Sequence, residues 1–152
     1  MLIKTHLAIS LAAILIFISV VEYKITFVMV VLISTLIPDI DTKNSKMGDH
    51  LILRPFQLFV KHRSIFHSFS FLLLVTLFFV LFLPVLSLGF FLGYGLHLFA
   101  DSFTKEGIQV FYPWKRKSNG WITTGGKTEV SVFVFFIILD LFLIFIRISG
   151  LF

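Results

Sequence analysis

From Ser64 to Ala100 the chain carries no Asp, Glu, Lys or Arg, and this run constrains the fold more than any other feature. A helix crosses the hydrocarbon core of a bilayer with roughly 20 apolar residues, about 25 at the long end. The run is therefore too long for one crossing. Pro84, followed by Ser87 and Gly89, offers the break, because proline interrupts a helix and glycine favours a turn. The stretch is expected to fold back on itself as two antiparallel helices, 66–83 and 85–103.

Shorter charge-free runs fill residues 7–21, 25–37 and 130–139, while most charges fall within 39–63 and 105–129. Hydrophobic residues make up 58% of the chain and charged residues 14%, with a mean hydropathy of +1.02. A soluble domain has roughly 45–50% apolar and about 25% charged residues. The balance excludes a disordered chain, a secreted disulfide scaffold and a soluble nucleic-acid binder. The absence of cysteine excludes thiolate metal sites and thiol catalysis. The expected fold is an all-α polytopic membrane helical bundle of five transmembrane helices, 7–21, 23–37, 66–83, 85–103 and 130–148. It forms a single integral membrane domain, 1–152, with polar loops 39–63 and 104–129. The first helix is expected to stay as an anchor, because Ile18-Ser19-Val20-Val21-Glu22 is a poor small-residue cleavage site.

Five crossings place the amino terminus and both polar loops on one side. That side holds eleven of the 13 basic residues, leaving Lys24 and Arg147 on the other. The positive-inside rule makes the first side cytoplasmic. The net charge of +5 then reflects topology and attraction to anionic lipid, with no nucleic acid required. Tyr112, Trp114 and Trp121 around Lys115-Arg116-Lys117 read as an interfacial belt contacting membrane lipids.

The small polar remainder collects on that same face. His6 lies at the mouth of the first helix, Asp39 and Asp41 where the second leaves the membrane, and His62 and His67 where the third enters. His97 and Asp101 stand at the returning end of the fourth. Imidazoles and carboxylates are the donors that zinc and manganese take when thiolates are absent, and seven such groups suffice for one or two ions. His97 and Asp101, four apart, share one helix face. His62 and His67, five apart, do not, so His62 is expected in the loop and His67 in the first turns of the helix. Pro38 is expected to end or kink the second helix and swing Asp39 and Asp41 across the bundle mouth. Asp140 falls near mid-bilayer, apart from this cluster. Thr104 and Gly107 are expected to close the fourth helix, with Thr104 supporting the ligands and Glu106 a solvated loop carboxylate.

Thr5-His6, Pro38-Asp39-Ile40-Asp41 with Ser45, His62-Arg63-Ser64-Ile65-Phe66-His67-Ser68 and the block from Gly93 to Pro113 resemble the YdjM family. That family carries the description of inner-membrane metal-dependent hydrolases and sometimes a LexA-binding label. The resemblance covers about residues 5–113. It implies a metal-dependent hydrolase whose ligands are the seven residues above. The His97 and Asp101 spacing is also similar to a ligand pair in zinc-dependent phospholipases C and related nucleases, which favours a lipid phosphodiester.

The expected activity is hydrolysis of a phosphoester or lipid headgroup at the cytoplasmic face, by water activated at a divalent metal, zinc or manganese. Asp39 or Asp101 would double as base, and Arg63 or Lys105 would hold the anionic group. Two other readings compete. A metal-ion transporter or sensor requires polar groups to continue through the bilayer, where Asp140 stands alone. A non-catalytic partner of a regulator requires a docking surface on the loops.

Overall fold

A computed structural model describes residues 1–41, 65–114 and 116–150, without the side chains of Ile40 and Asp41. The described residues form five α-helices: α1 (Ile3–Phe17), α2 (Lys24–Leu36), α3 (Phe69–Phe82), α4 (Pro84–Ser102) and α5 (Lys127–Ile148). A 3-10 helix, Ile37–Asp41, continues α2. The only strands among the described residues are β1 (Ile108–Gln109) and β2 (Lys117–Ser118), an antiparallel pair that aligns Ile108 with Ser118. The all-helical expectation holds.

At a rise of 1.5 Å per residue, the 19 residues of α4 and the 22 of α5 reach about 28 and 33 Å, enough to cross a hydrocarbon core of about 30 Å. Helices α1 and α3, with 15 and 14 residues, are apolar but shorter.

The helix boundaries differ from expectation where a distant group supplies the cap. Helix α1 begins at Ile3 and ends at Phe17, four residues early at each end. Its start is set by Glu129, which accepts a hydrogen bond from the Leu2 amide at 2.5 Å and satisfies a donor that no local side chain caps. Its end falls at Phe17, before Ile18, Val20 and Val21. Helix α5 starts three residues early, at Lys127, and takes Glu129 into its first turn. Pro84 breaks the long apolar run as foreseen, by occupying the first turn of α4, where its missing N–H costs no helical bond.

Lipid removes the hydrophobic drive between helices, so close approach and interhelical hydrogen bonds must hold such a bundle. The most extensive pair is α2 against α4. Gly89 and Gly93, one helical turn apart, permit it: a Cβ at Gly93 would collide with the Val31 carbonyl and the Ser34 hydroxyl. Ser10 of α1 and Thr35 of α2 share a hydroxyl–hydroxyl bond of 2.7 Å. Leu72, Phe90, Tyr94, Leu98 and Ile108 form one buried cluster, and Ile14, Phe27 and Val31 a second.

The segment after α4 folds over the end of that helix. The Lys105 amide donates to Ile122 O at 2.9 Å and the Ile122 amide to Phe103 O at 3.0 Å, while Phe69 N donates to Val110 O at 2.9 Å. Gly107 supplies the turn with φ 63°, and its amide donates to Thr104 Oγ1 at 3.2 Å. These ties gather the starts of α1, α3 and α5 and the ends of α2 and α4 at one end of the bundle.

Candidate metal centre

Five of the seven expected ligands lie among the described side chains, and the fold brings all five together. His6 comes from the second turn of α1, Asp39 from the 3-10 helix, His67 from the turn before α3, and His97 and Asp101 from the last turns of α4. All are buried, Asp39 least so. His6, Asp39 and His97 offer ligand atoms within 4.8 Å of one another, and so do His67, His97 and Asp101. His62 and Arg63, the side chain of Asp41, and Lys115 lie outside the described residues.

Local chemistry sets each position. Pro38 sits inside the 3-10 helix, so α2 ends at Leu36 and Asp39 turns toward α4 as expected. His67 departs from expectation: it precedes α3 instead of lying in its first turns. Ser68 is the reason, because it adopts an extended backbone (φ −132°, ψ 145°) and caps the helix by accepting from Phe71 N at 3.3 Å. Tyr94 fixes that turn from α4, donating its hydroxyl to Phe66 O at 2.5 Å.

The donor atoms stand at a spacing close to that of groups sharing one ion. His6 Nε2 is 3.3 Å from Asp101 Oδ1, and His97 Nε2 is 3.6 Å from Asp101 Oδ2 and 3.8 Å from Asp39 Oδ1. Ligand atoms about 2.0–2.1 Å from a tetrahedral zinc stand roughly 3.4 Å from each other. The imidazoles of His6 and His97 stack with centroids 3.9 Å apart, and His67 meets His97 edge-on at 5.7 Å. Neither ring nitrogen of His6, nor Nε2 of His97, has a hydrogen-bond partner among the described residues. A buried polar atom left so costs about 1–3 kcal/mol, which coordination to a cation removes. The residues present fit a divalent ion.

His97 is oriented for that role. Its Nδ1 lies 2.8 Å from the Thr35 carbonyl, which can only accept, so Nδ1 carries the proton and Nε2 presents its lone pair to the cluster. Asp101 is engaged on both oxygens, by His6 and the Met1 amine at Oδ1 and by His97 at Oδ2. Thr104 supports the site through the backbone: its hydroxyl donates at 2.7 Å to the backbone carbonyl of Asp101, not to the carboxylate. Lys105 and Glu106 are exposed, and Asp140, buried in α5, belongs to neither donor group.

Glu129 is the residue that sequence reasoning missed. It is 1% exposed and accepts from Leu2 N at 2.5 Å, Thr5 Oγ1 at 2.9 Å and Gly125 N at 2.5 Å. It thereby holds the turn of α1 that carries His6. An acidic residue directly before a long apolar run, on the same face as the ligands, was the available signal.

Comparison with known proteins extends the motif resemblance. No curated protein and no solved structure gives a significant match. The family described as YdjM inner membrane protein matches residues 1–151, well past Pro113, where the recognisable motifs stop. Spanning nearly the whole chain, that match places the protein in the YdjM inner membrane protein family.

Proposed function

We propose that this protein is a membrane-embedded, metal-dependent hydrolase, acting at the cytoplasmic face on the phosphoester of a lipid headgroup. The observation that carries the reading is the convergence of His6, Asp39, His67, His97 and Asp101, from four separate elements, into one buried cluster. The reading counts the shorter helices α1, α2 and α3 as crossings beside the longer α4 and α5, which makes five. The basic residues beside the cluster then assign its face to the cytoplasm.

Both donor groups include His97, whose Nδ1 is committed to Thr35, so a single Nε2 lone pair serves both. One lone pair serves one ion, and the reading takes the described donors as one centre. A divalent ion, zinc or manganese, would be held by His6, Asp39, His67, His97 and Asp101 or a subset of them, and would supply Lewis acidity to the phosphoester and the attacking water. The protein supplies the remaining groups. Asp101 is held between His6 and His97 and positions them. Asp39, with 12% of its side chain exposed against 3% for Asp101, is the carboxylate open to the substrate side, and it takes the proton from the attacking water. Arg63 or Lys105 would hold the anionic headgroup.

The test is hydrolysis of a phosphodiester by purified protein in detergent, with and without stoichiometric zinc or manganese. Metal-dependent turnover that Asp39→Asn lowers by about a hundredfold or more supports the reading. Metal-loaded protein without turnover on soluble or lipid phosphoesters sinks it. Metal transport is a second reading, favoured by Asp140, which is 3% exposed in α5 with neither oxygen hydrogen-bonded among the described residues. Metal uptake into proteoliposomes that requires Asp140 would put transport first.

A further inference from the structure

Beside the metal centre runs an apolar cavity of about 450 Å³, within the roughly 300–1,000 Å³ range of small-molecule sites. Ile9, Ala13 and Ile16 of α1 face it together with Leu92 and Leu96 of α4 and Phe136 of α5. The spacings of three and four residues show that each helix presents one continuous face. The lining is wholly apolar, and the cavity is partly open to the surroundings.

Two features argue against a mere packing gap. One end lies next to the metal centre, which Met1 separates from it: Met1 lines the cavity and its amine contacts the Asp101 carboxylate, while none of the five cluster residues lines it. The other end lies toward the end of α1, at Ile16 and Phe17, which are partly exposed. Along α4 the lining runs from Phe103 back to Leu92, about 16 Å at 1.5 Å per residue. That is close to half of a bilayer's hydrocarbon thickness of about 30 Å, the depth one lipid tail occupies. The small side chain of Ala13 keeps the path open.

We propose that this groove between α1, α4 and α5 receives one acyl chain of a glycerophospholipid whose phosphate headgroup lies at the metal centre. The assignment rests on the reading of the centre as acting on lipid headgroups, and it adds how the substrate is held. A tail seated here draws its lipid partly out of the leaflet and delivers the phosphoester to the buried donors. Selectivity for lipid over soluble phosphoesters then comes from the groove, while the chemistry comes from the cluster.

The experiment uses the full chain in phosphatidylethanolamine and phosphatidylglycerol vesicles containing phosphatidic acid with a photoreactive diazirine midway along one chain. Adducts are mapped by mass spectrometry. Ile16, Leu92 and Phe136 are expected to be labelled about tenfold above Leu77 and Leu81 on the exposed face of α3, with Ala13→Phe removing that excess. Equal labelling of groove and α3 overturns the proposal, as does a folded Ala13→Phe variant with unchanged groove adducts. Ile16 is 52% exposed, so Ile16→Trp can be accommodated without repacking a buried core and would narrow the far end. It should abolish groove labelling by a long-chain diazirine lipid and spare a short-chain one, and equal labelling by both counts against the slot. Hydrolysis is read separately. Groove adducts without turnover leave the slot standing and remove the hydrolase reading, whereas turnover without groove preference does the reverse.

Discussion

The Thr35 carbonyl accepts the Nδ1 proton of His97 at 2.8 Å, and through that bond α2 determines which nitrogen of an α4 histidine faces the cluster. The same residue's hydroxyl bonds Ser10 of α1 and the Val31 carbonyl of its own helix. Thr35 thus joins three helices, but only its backbone touches the ligand. Thr35→Val should therefore cost stability, about 1 kcal/mol on the scale of interhelical hydrogen bonds, while metal affinity changes less than about tenfold. Unfolding in detergent and a metal titration separate the two. A large loss of affinity with unchanged stability would contradict this division.

Gly93 and Gly95 sit two residues apart on α4 and should respond oppositely. A Cβ at Gly93 meets the Val31 backbone and the Ser34 hydroxyl, whereas at Gly95 the nearest atom is Leu72 Cδ2 at 3.4 Å, an ordinary contact. Gly93→Ala is expected to destabilise the bundle by about 1–3 kcal/mol through separation of α2 from α4. Gly95→Ala should be neutral or mildly stabilising because alanine favours the helix. Melting temperatures of the two variants provide the check.

Most of the buried cluster was legible because charge-free runs mark where helices begin and end, and His6, Asp39, His67, His97 and Asp101 lie at those points. Placing them in contact required only that the helices gather. The less legible features depend on tertiary partners. The start of α1 is set by Glu129, far away in sequence, and the place of His67 by the capping action of Ser68. Glu129 itself resembles any loop carboxylate until its three donors converge on it.

Glu129 should act on the metal centre without touching it. Glu129→Ala leaves the Leu2 and Gly125 amides without their acceptor, at a cost of about 2–4 kcal/mol. It also loosens the turn carrying His6, and metal affinity should fall about 10–100-fold, as for groups that orient a ligand. Glu129→Gln, which keeps an acceptor oxygen, should recover part of both. Isothermal titration with zinc alongside thermal unfolding reads the two effects, and full affinity in Glu129→Ala would show that His6 needs no such support.

Metal removal should destabilise the folded protein, because an ion that bridges α1, the 3-10 helix and α4 binds only when they are assembled. Chelation is expected to lower the melting temperature, with zinc restoring it. Asp140→Asn should leave that difference intact, since Asp140 is outside both donor groups. A metal-dependent shift that vanishes in Asp140→Asn would move the ion's site into α5.

The central claim is that the cluster of converging side chains holds a metal ion. The most direct measurement is the metal content, by elemental mass spectrometry, of purified full-length protein and its His97→Ala variant after zinc loading and removal of free metal. The account predicts about one equivalent per chain in the wild type and a small fraction of that in His97→Ala, because His97 belongs to both donor groups. A folded wild-type protein without stoichiometric metal, or a His97→Ala variant that retains a full equivalent, would contradict it.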